Sequence, residues 1–157
     1  MIPDRLPERQ VIHGEALAWL AENPATTESS IVTSLPDLSE VPERGFDGWR
    51  LWFMDCARQL LKWLPPEGTA IFFQSDVRRG GVWVDKSYLV LRAAEEEPVA
   101  LLWHKIVCRK PPGTITHGRA SYSHLLCFLD HASFRPNARA PTCSRTQEKC
   151  HGAAPWG

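Results

Sequence analysis

The 157-residue chain has few cysteines, no net charge and no long hydrophobic run. No apolar stretch reaches the roughly 20 residues that a membrane-spanning helix needs. The five cysteines are an odd number, and no two have the close spacing of a zinc-binding pair, so we predict neither a disulfide framework nor a metal site. The N-terminus lacks the pattern of a signal peptide. We therefore expect a cytoplasmic protein with no membrane partner.

What is present is typical of one globular domain. A composition of 43% hydrophobic and 23% charged residues supports a substantial core. Cys56, Cys108 and Cys127 lie in apolar runs, where we expect reduced and buried thiols. Acidic residues outnumber basic residues up to residue 98. After it, basic residues outnumber acidic ones, and most of the histidines lie there. Such asymmetry is found in proteins that bind polyanions and also in ordinary solvated surfaces, so charge alone does not decide between them.

Strand and helix patterns alternate along most of the chain. This alternation predicts a doubly wound, mostly parallel α/β sheet with helices on both faces. The last two strands have no helix between them, so we expect the final strand to run antiparallel. Strand patterns lie at 11–12, 30–34, 68–76, 98–110 and 122–130, and helical patterns lie at 15–23, 46–64 and 83–97.

The second helical pattern has a strongly apolar face. Asp47 is placed to cap its N-terminus, and two prolines end it. Trp49, Trp52 and Trp63 fall on the apolar side or its margins, where a place in the core is the simplest interpretation.

The chain divides into three parts. We assign residues 1–10 to an N-terminal tail, 11–135 to the α/β domain and 136–157 to an irregular tail. The C-terminal tail has neither helical nor strand periodicity and no apolar face, so we do not expect it to pack. We hypothesise a shift of reading frame near Thr142, which the nucleotide sequence would decide.

One predicted strand leads directly into a polar loop that contains a proline. Ser34, Leu35, Pro36 and Asp37 follow the β-branched run that ends at Thr33. Open α/β sheets place their chemistry at the carboxyl ends of their strands, where this loop lies. Pro36 fixes its own φ and restricts Leu35 to extended conformations, which gives the loop a set shape. An ordinary strand-to-helix turn is the alternative interpretation.

From residue 11 to about residue 130, the chain resembles the permuted class I S-adenosylmethionine-dependent methyltransferases, which include the amino-methylating DNA enzymes. HGEALAWL resembles the loop and helix after the third strand of that fold, with Gly14-Glu15 in place of the usual Gly-Asp. IVTSLPD resembles the catalytic loop, usually Asp, Asn or Ser followed by two prolines and an aromatic. AIFFQSD, LLWHKIVCR and YSHLLCFL resemble the fifth, sixth and antiparallel seventh strands.

The resemblance implies catalytic roles for the loop at 34–37. The side chain of Ser34 and the carbonyl of Leu35 would accept hydrogen bonds from an exocyclic amine, and Pro36 would shape the loop. Asp37 stands where an aromatic side chain would stack on a flipped base. Because a carboxylate cannot stack, Asp37 would instead accept a proton from a nucleophilic N–H or O–H.

The resemblance also implies S-adenosylmethionine as cofactor, with Gly14, Glu15 and Thr33 on its side of the site. Cations in the loop at 109–119 suit phosphate contacts, although a solvated loop and polar strand ends explain the same residues. The candidate substrate-binding residues are Gln74, Asp76, His104, Lys105, Arg109 and Arg119.

No glycine-rich turn between a strand and a helix is present to cradle the methionine end of the cofactor. We therefore expect an incomplete fold, the catalytic-loop half of such an enzyme, which binds S-adenosylmethionine weakly or not at all. The first hypothesis is a methyltransferase-like protein, active or inactive, whose acceptor is nucleic acid or a small amine. The second is a non-catalytic module that binds nucleic acid or a partner through its basic loop and exposed sheet edge. The third is a structural remnant that is unstable alone.

Overall fold

The computed structural model describes residues 8–111 and 113–131, so the predicted tail at 136–157 lies outside the described residues. The described α-helices are α1 (Ala16–Glu22), α2 (Gly45–Lys62) and α3 (Lys86–Ala94). The described strands are β1 (Ile31–Thr33), β2 (Thr69–Gln74), β3 (Val77–Arg79), β4 (Val82–Val84), β5 (Val99–Cys108) and β6 (Tyr122–Asp130). None of the described helices is long and apolar enough to cross a membrane.

The main sheet contains four strands in the spatial order β1-β2-β6-β5. β1 pairs in parallel with β2, and β6 lies antiparallel between β2 and β5. β1, β2 and β5 therefore run in one direction and β6 in the other. This arrangement confirms the α/β fold class and the antiparallel last strand.

One hydrophobic core joins α2 and α3 to the main sheet. Trp49 and Phe53 on α2 are fully buried, as the apolar spacing of that helix predicts. Phe72 on β2 and Phe128 on β6 meet edge to face with ring centroids 5.9 Å apart. The predicted core positions of the tryptophans are confirmed, because Trp49 is buried and the tryptophans at 52 and 63 pack against the same core.

Two predictions about element boundaries were wrong. Val11 and Ile12 form no strand; they are 87% and 50% exposed, and no described strand pairs with them. Asp47 lies inside the first turn of α2 rather than at its N-cap. A short 3₁₀ turn at Pro42–Arg44 comes directly before α2 and starts the helix earlier than the apolar pattern indicates.

The prediction that all three internal cysteines are buried was wrong for one of them. Cys108 is exposed at the end of β5, which is an edge strand of the main sheet. Cys56 and Cys127 are buried free thiols, as predicted. Burial raises the pKa of the Cys56 thiol to about 11, which keeps it protonated at neutral pH.

β3 and β4 form a separate two-stranded hairpin that the sequence analysis did not predict. Gly80 and Gly81 make its turn with φ values of 56° and 85°, which glycine adopts without strain. A Gly-Gly pair between two valine-containing runs is a hairpin signal, and it could have identified this element. The register pairs Val77 with Val84, Arg78 with Trp83 and Arg79 with Val82.

Candidate functional site

The loop at 34–37, called here the acceptor loop, leaves the carboxyl end of β1 and is held from both sides. Ser34 is exposed, whereas Leu35 is buried in the core. The indole Nε1 of Trp49 donates a hydrogen bond to the Pro36 carbonyl at 3.2 Å, which fixes the loop to α2. Asp37 follows, with its carboxylate partly exposed.

Lys86, at the start of α3, holds the other side of the acceptor loop. Its ammonium donates to the Leu35 carbonyl at 3.2 Å and to the Asp37 carboxylate. The side chain is only 3% exposed, and the ammonium lies 5.3 Å from the centre of the Phe53 ring. Leu35 is buried, and so is its hydrogen bond to Lys86, so the prediction that its carbonyl accepts a hydrogen bond from a ligand stays a prediction. The sequence analysis missed Lys86, since a lysine in the first turn of a helix gives no signal of burial.

A cavity of about 570 Å³ opens beside the acceptor loop; Asp37 is on its wall, whereas Ser34, Leu35 and Pro36 are not among the residues that line it. Four segments form its walls: the residues after β1, the N-terminus of α2, the start of the β3–β4 hairpin, and the loop before β6. Asp37 and Asp76 are the acidic residues on these walls, and both belong to segments that follow parallel strands. The basic residues on the same walls are Arg78, Arg79, Arg109 and Arg119.

The four arginines have no carboxylate partner within the described part of the chain. Among the residues that the structure describes, none of the four forms an ion pair. Arg78 donates to the carbonyl of Gly81 at 3.1 Å, and Arg109 donates to the carbonyl of Ala120 at 2.8 Å. Their charge is therefore available to a ligand, and unpaired guanidinium groups around a cavity favour an anion.

Asp76 is fixed by three hydrogen bonds. The Lys86 amide donates to one carboxylate oxygen at 3.0 Å, and the hydroxyl of Tyr122 donates to the other at 2.9 Å. Nε2 of His124 lies 3.1 Å from that second oxygen, and its Nδ1 lies 2.9 Å from Nε2 of His104. The hydrogen bond to Asp76 raises the pKa of Tyr122, because the proton is needed for the bond. A buried carboxylate is thus connected through two imidazoles to the exposed surface of β5.

Asp85 adds a further carboxylate near this network. It caps α3, accepting the Tyr88 amide at 2.9 Å and the Ser87 hydroxyl at 2.6 Å. Burial opposes ionisation, but these hydrogen bonds and nearby His124 outweigh it, so the pKa of Asp85 is lowered. Asp76, Asp85 and His124 each offer one ligand atom within 4.8 Å of the others, a spacing that a metal ion could bridge. All three already take part in hydrogen bonds, and we keep the prediction of no metal site as a prediction.

The structure brings some of the predicted substrate-binding residues together and separates others. Asp76 lines the cavity beside the acceptor loop, as do both predicted loop arginines. Gln74 is fully buried, and its side-chain amide has no hydrogen-bond partner among the described residues. His104 and Lys105 are exposed on β5 and do not line the cavity; the Lys105 ammonium lies 4.9 Å from the centre of the Trp103 ring.

The predicted cofactor-side residues lie in two places. Gly14 and Glu15 line a second cavity of about 450 Å³ along α1, together with Trp19. The Glu15 carboxylate accepts the Ala18 amide at 2.7 Å and so caps α1. Thr33 ends β1 and does not line this cavity. A carboxylate and an exposed indole suit a ribose hydroxyl and a purine ring, which are groups present in S-adenosylmethionine.

The comparisons with known proteins give a structural similarity and no sequence match. No family model and no curated protein matches this sequence. The chain is similar in structure to TTHA0409, a proposed DNA modification methylase from Thermus thermophilus. Its selenomethionine derivative superposes with a TM-score of 0.60 at 18% identity, over 78% of this chain and 53% of that one.

The crystal structure of TTHA0409 complexed with S-adenosyl-L-methionine gives a TM-score of 0.58 at 19% identity, over 78% of this chain and 54% of that one. The chain therefore spans about half the length of the structures that it matches. At this level of identity the similarity shows the fold, and the chain has a methyltransferase-like α/β fold.

Proposed function

We propose that this chain supplies the acceptor side of an S-adenosylmethionine-dependent methyltransferase site, with nucleic acid as the methyl acceptor. The observation that carries the proposal is the acceptor loop, which Lys86 and Trp49 hold beside a cavity at the carboxyl ends of β1 and β2. Catalytic loops occupy this position in open α/β sheets.

The acceptor loop has the groups that orient a nucleophile. The exposed hydroxyl of Ser34 and the free lone pair of the Leu35 carbonyl would accept hydrogen bonds from an N–H of the acceptor. Pro36, fixed through its carbonyl, would keep these acceptors in place. Asp37 would take the proton that the acceptor loses, and its partner Lys86 would hold the carboxylate in place. The acceptor loop would therefore orient the nucleophile and accept its proton with groups that the fold already holds in position.

Nucleic acid is the acceptor that best fits the charges around the cavity. A small amine would be cationic at neutral pH and would meet four arginine side chains that have no ion-pair partner among the described residues. A nucleotide brings a phosphate for the arginines and a neutral base for the acceptor loop. The cavity, at about 570 Å³, is within the range that holds one ligand of nucleotide size.

The cofactor would supply a sulfonium methyl group when bound. Gly14 and Glu15 would hold its adenosine end in the second cavity, and Thr33 would lie on its side of the acceptor loop. The described residues contain no glycine-rich turn between a strand and a helix, so few contacts would grip the rest of the molecule. Weak binding of S-adenosylmethionine by this chain therefore remains our prediction.

Methyl transfer at a high cofactor concentration tests the proposal. The chain is incubated with tritium-labelled S-adenosylmethionine at about 1 mM. At this concentration weak cofactor binding slows the transfer but does not prevent labelled product from accumulating. DNA and RNA oligonucleotides should gain label with the wild-type chain, and should gain much less with Ser34→Ala. Thr27→Ala, which removes an exposed hydroxyl that lines neither cavity, is the matched control and should leave the transfer unchanged.

The same assay separates the proposal from the alternative of a non-catalytic binding module. Oligonucleotide binding with no label above the blank at this cofactor concentration would overturn methyl transfer and favour that module. Transfer that is equal in wild type and in Ser34→Ala would show that the acceptor loop is not the site.

A further inference from the structure

The β3–β4 hairpin is anchored at its base and exposed at its tip. Val77 and Val84, the pair at the base, pack against the hydrophobic core. Toward the tip, Val82 is 68% exposed and Trp83 is 49% exposed. Exposed tryptophans are costly in water, and a two-stranded ribbon gains little stability from one. The exposed tip therefore suggests a surface that a ligand covers.

The tip combines an aromatic ring with positive charge. Trp83 is directly opposite Arg78 in the hairpin register, so the two side chains project from the same face of the ribbon. Arg79 follows on the next position and therefore projects from the opposite face of the ribbon, while both arginines line the cavity beside the acceptor loop. Stacking surfaces next to guanidinium groups are the features with which proteins bind single-stranded nucleic acid.

The hairpin lies at one wall of the cavity, and a second basic segment lies at another. Arg109 and Arg119 belong to the loop between β5 and β6, which forms that second wall. A ligand between these walls would meet cations from two separate segments, as a chain with more than one phosphate does. A cavity of about 570 Å³ holds one nucleotide and not a duplex, so the base must be unpaired when it enters.

We propose that the β3–β4 hairpin binds single-stranded nucleic acid beside the acceptor loop. Trp83 stacks on a base that flanks the methylated one, while Arg78 and Arg79 contact the neighbouring phosphates. The inference rests on the proposed function for its orientation, because it places the target base in the cavity. The binding itself requires no cofactor.

Fluorescence anisotropy of a labelled 12-nucleotide single strand measures this binding with the complete chain. Trp83→Ala should weaken it roughly tenfold, because removing one stacking residue costs that order of affinity. The double variant Arg78→Gln/Arg79→Gln should also weaken binding and lower the slope of log K against log salt by about 1 to 2. Tyr88→Ala and Arg92→Gln, exposed residues on α3 that line neither cavity, are the matched controls and should bind like wild type within about twofold.

Several results would overturn the proposal. One is equal weakening by Trp83→Ala and Tyr88→Ala. A second is equal binding of a duplex with the same sequence, and a third is equal competition by inorganic polyphosphate, which has the charge but no bases. Unchanged melting temperatures show that the variants are folded, as expected for exposed positions. If methyl transfer fails, the result of the binding experiment still stands. If transfer is normal but the hairpin variants bind the single strand as wild type does, the hairpin proposal alone is overturned.

Discussion

The ammonium of Lys86 and the carboxylate of Asp37 form an ion pair that links α3 to the acceptor loop. The two residues are 49 positions apart in the chain. Their exposure differs strongly, because the Lys86 side chain is 3% exposed and that of Asp37 is 38% exposed. Water reaches the carboxylate but not the ammonium. The Lys86 ammonium therefore needs its counter-charge more than the Asp37 carboxylate does.

This difference predicts an order of stabilities. Asp37→Ala should lower the free energy of unfolding by about 3 kcal/mol, since it leaves a buried ammonium without a counter-charge. Lys86→Met should cost less, about 1 to 2 kcal/mol, because water solvates the remaining carboxylate and the methionine fills most of the volume. Urea unfolding followed by tryptophan fluorescence measures both. Arg92→Met, in an exposed pair with Glu95, is the control and should leave the free energy of unfolding nearly unchanged. A larger loss for Lys86→Met than for Asp37→Ala would refute the order.

The indole hydrogen bond to the acceptor loop predicts a separation of stability from binding. Trp49→Phe removes the donor to the Pro36 carbonyl, and Trp63→Phe removes a similar donor to the Asn23 carbonyl at 2.9 Å. Each should lower the free energy of unfolding by about 1 to 3 kcal/mol. Only Trp49→Phe should also weaken nucleotide binding, because only it releases the acceptor loop. Equal binding by the two variants would show that the loop does not need this bond.

The lowered pKa of Asp85 predicts a pH dependence with a definite sign. A carboxyl group whose pKa falls on folding stabilises the folded state above its ordinary pKa of 3.8, and this contribution is lost as the pH falls through the folded pKa. Asp85→Asn keeps a helix cap but removes the charge. Its free energy of unfolding should lie below that of wild type at pH 7, and the two should converge as the pH falls through the lowered pKa of Asp85. A difference that stays constant from pH 7 to acid would contradict this assignment.

The edge of the main sheet predicts self-association. β1 is an edge strand among the described residues, and Val32 on it is 76% exposed. An unpaired edge with an apolar side chain is a site for pairing with another chain. Val32→Lys should reduce concentration-dependent association in sedimentation velocity, whereas Val82→Lys on the hairpin should not. Equal association in wild type and Val32→Lys would exclude this edge as the contact.

The sequence predicted those features that depend on neighbouring residues. The apolar period of α2 placed Trp49 in the core, and the strand pattern at 68–76 contains β2. The helical pattern at 83–97 contains α3, whose N-cap is Asp85. The Gly80-Gly81 turn was also a local signal, which the helix pattern that follows it obscured.

The sequence did not predict the contacts between distant segments. No local pattern connects Lys86 to the acceptor loop, since the pair forms only when α3 packs near the end of β1. The same holds for Asp76 and His124, which are 48 positions apart and meet because β2 and β6 are neighbours. Val11 and Ile12 show the opposite error, because a β-branched pair forms no strand where no described strand pairs with it.

The central claim is that the acceptor loop binds the base of a nucleotide. The most direct test is a titration of the ¹⁵N-labelled chain with adenosine and cytidine monophosphates, followed by amide chemical shifts. The account predicts that the largest changes lie at Ser34, Leu35, Asp37 and Lys86, and that Ser34→Ala weakens them while Thr27→Ala does not. Changes confined to α1, or no changes at millimolar nucleotide, would contradict the account.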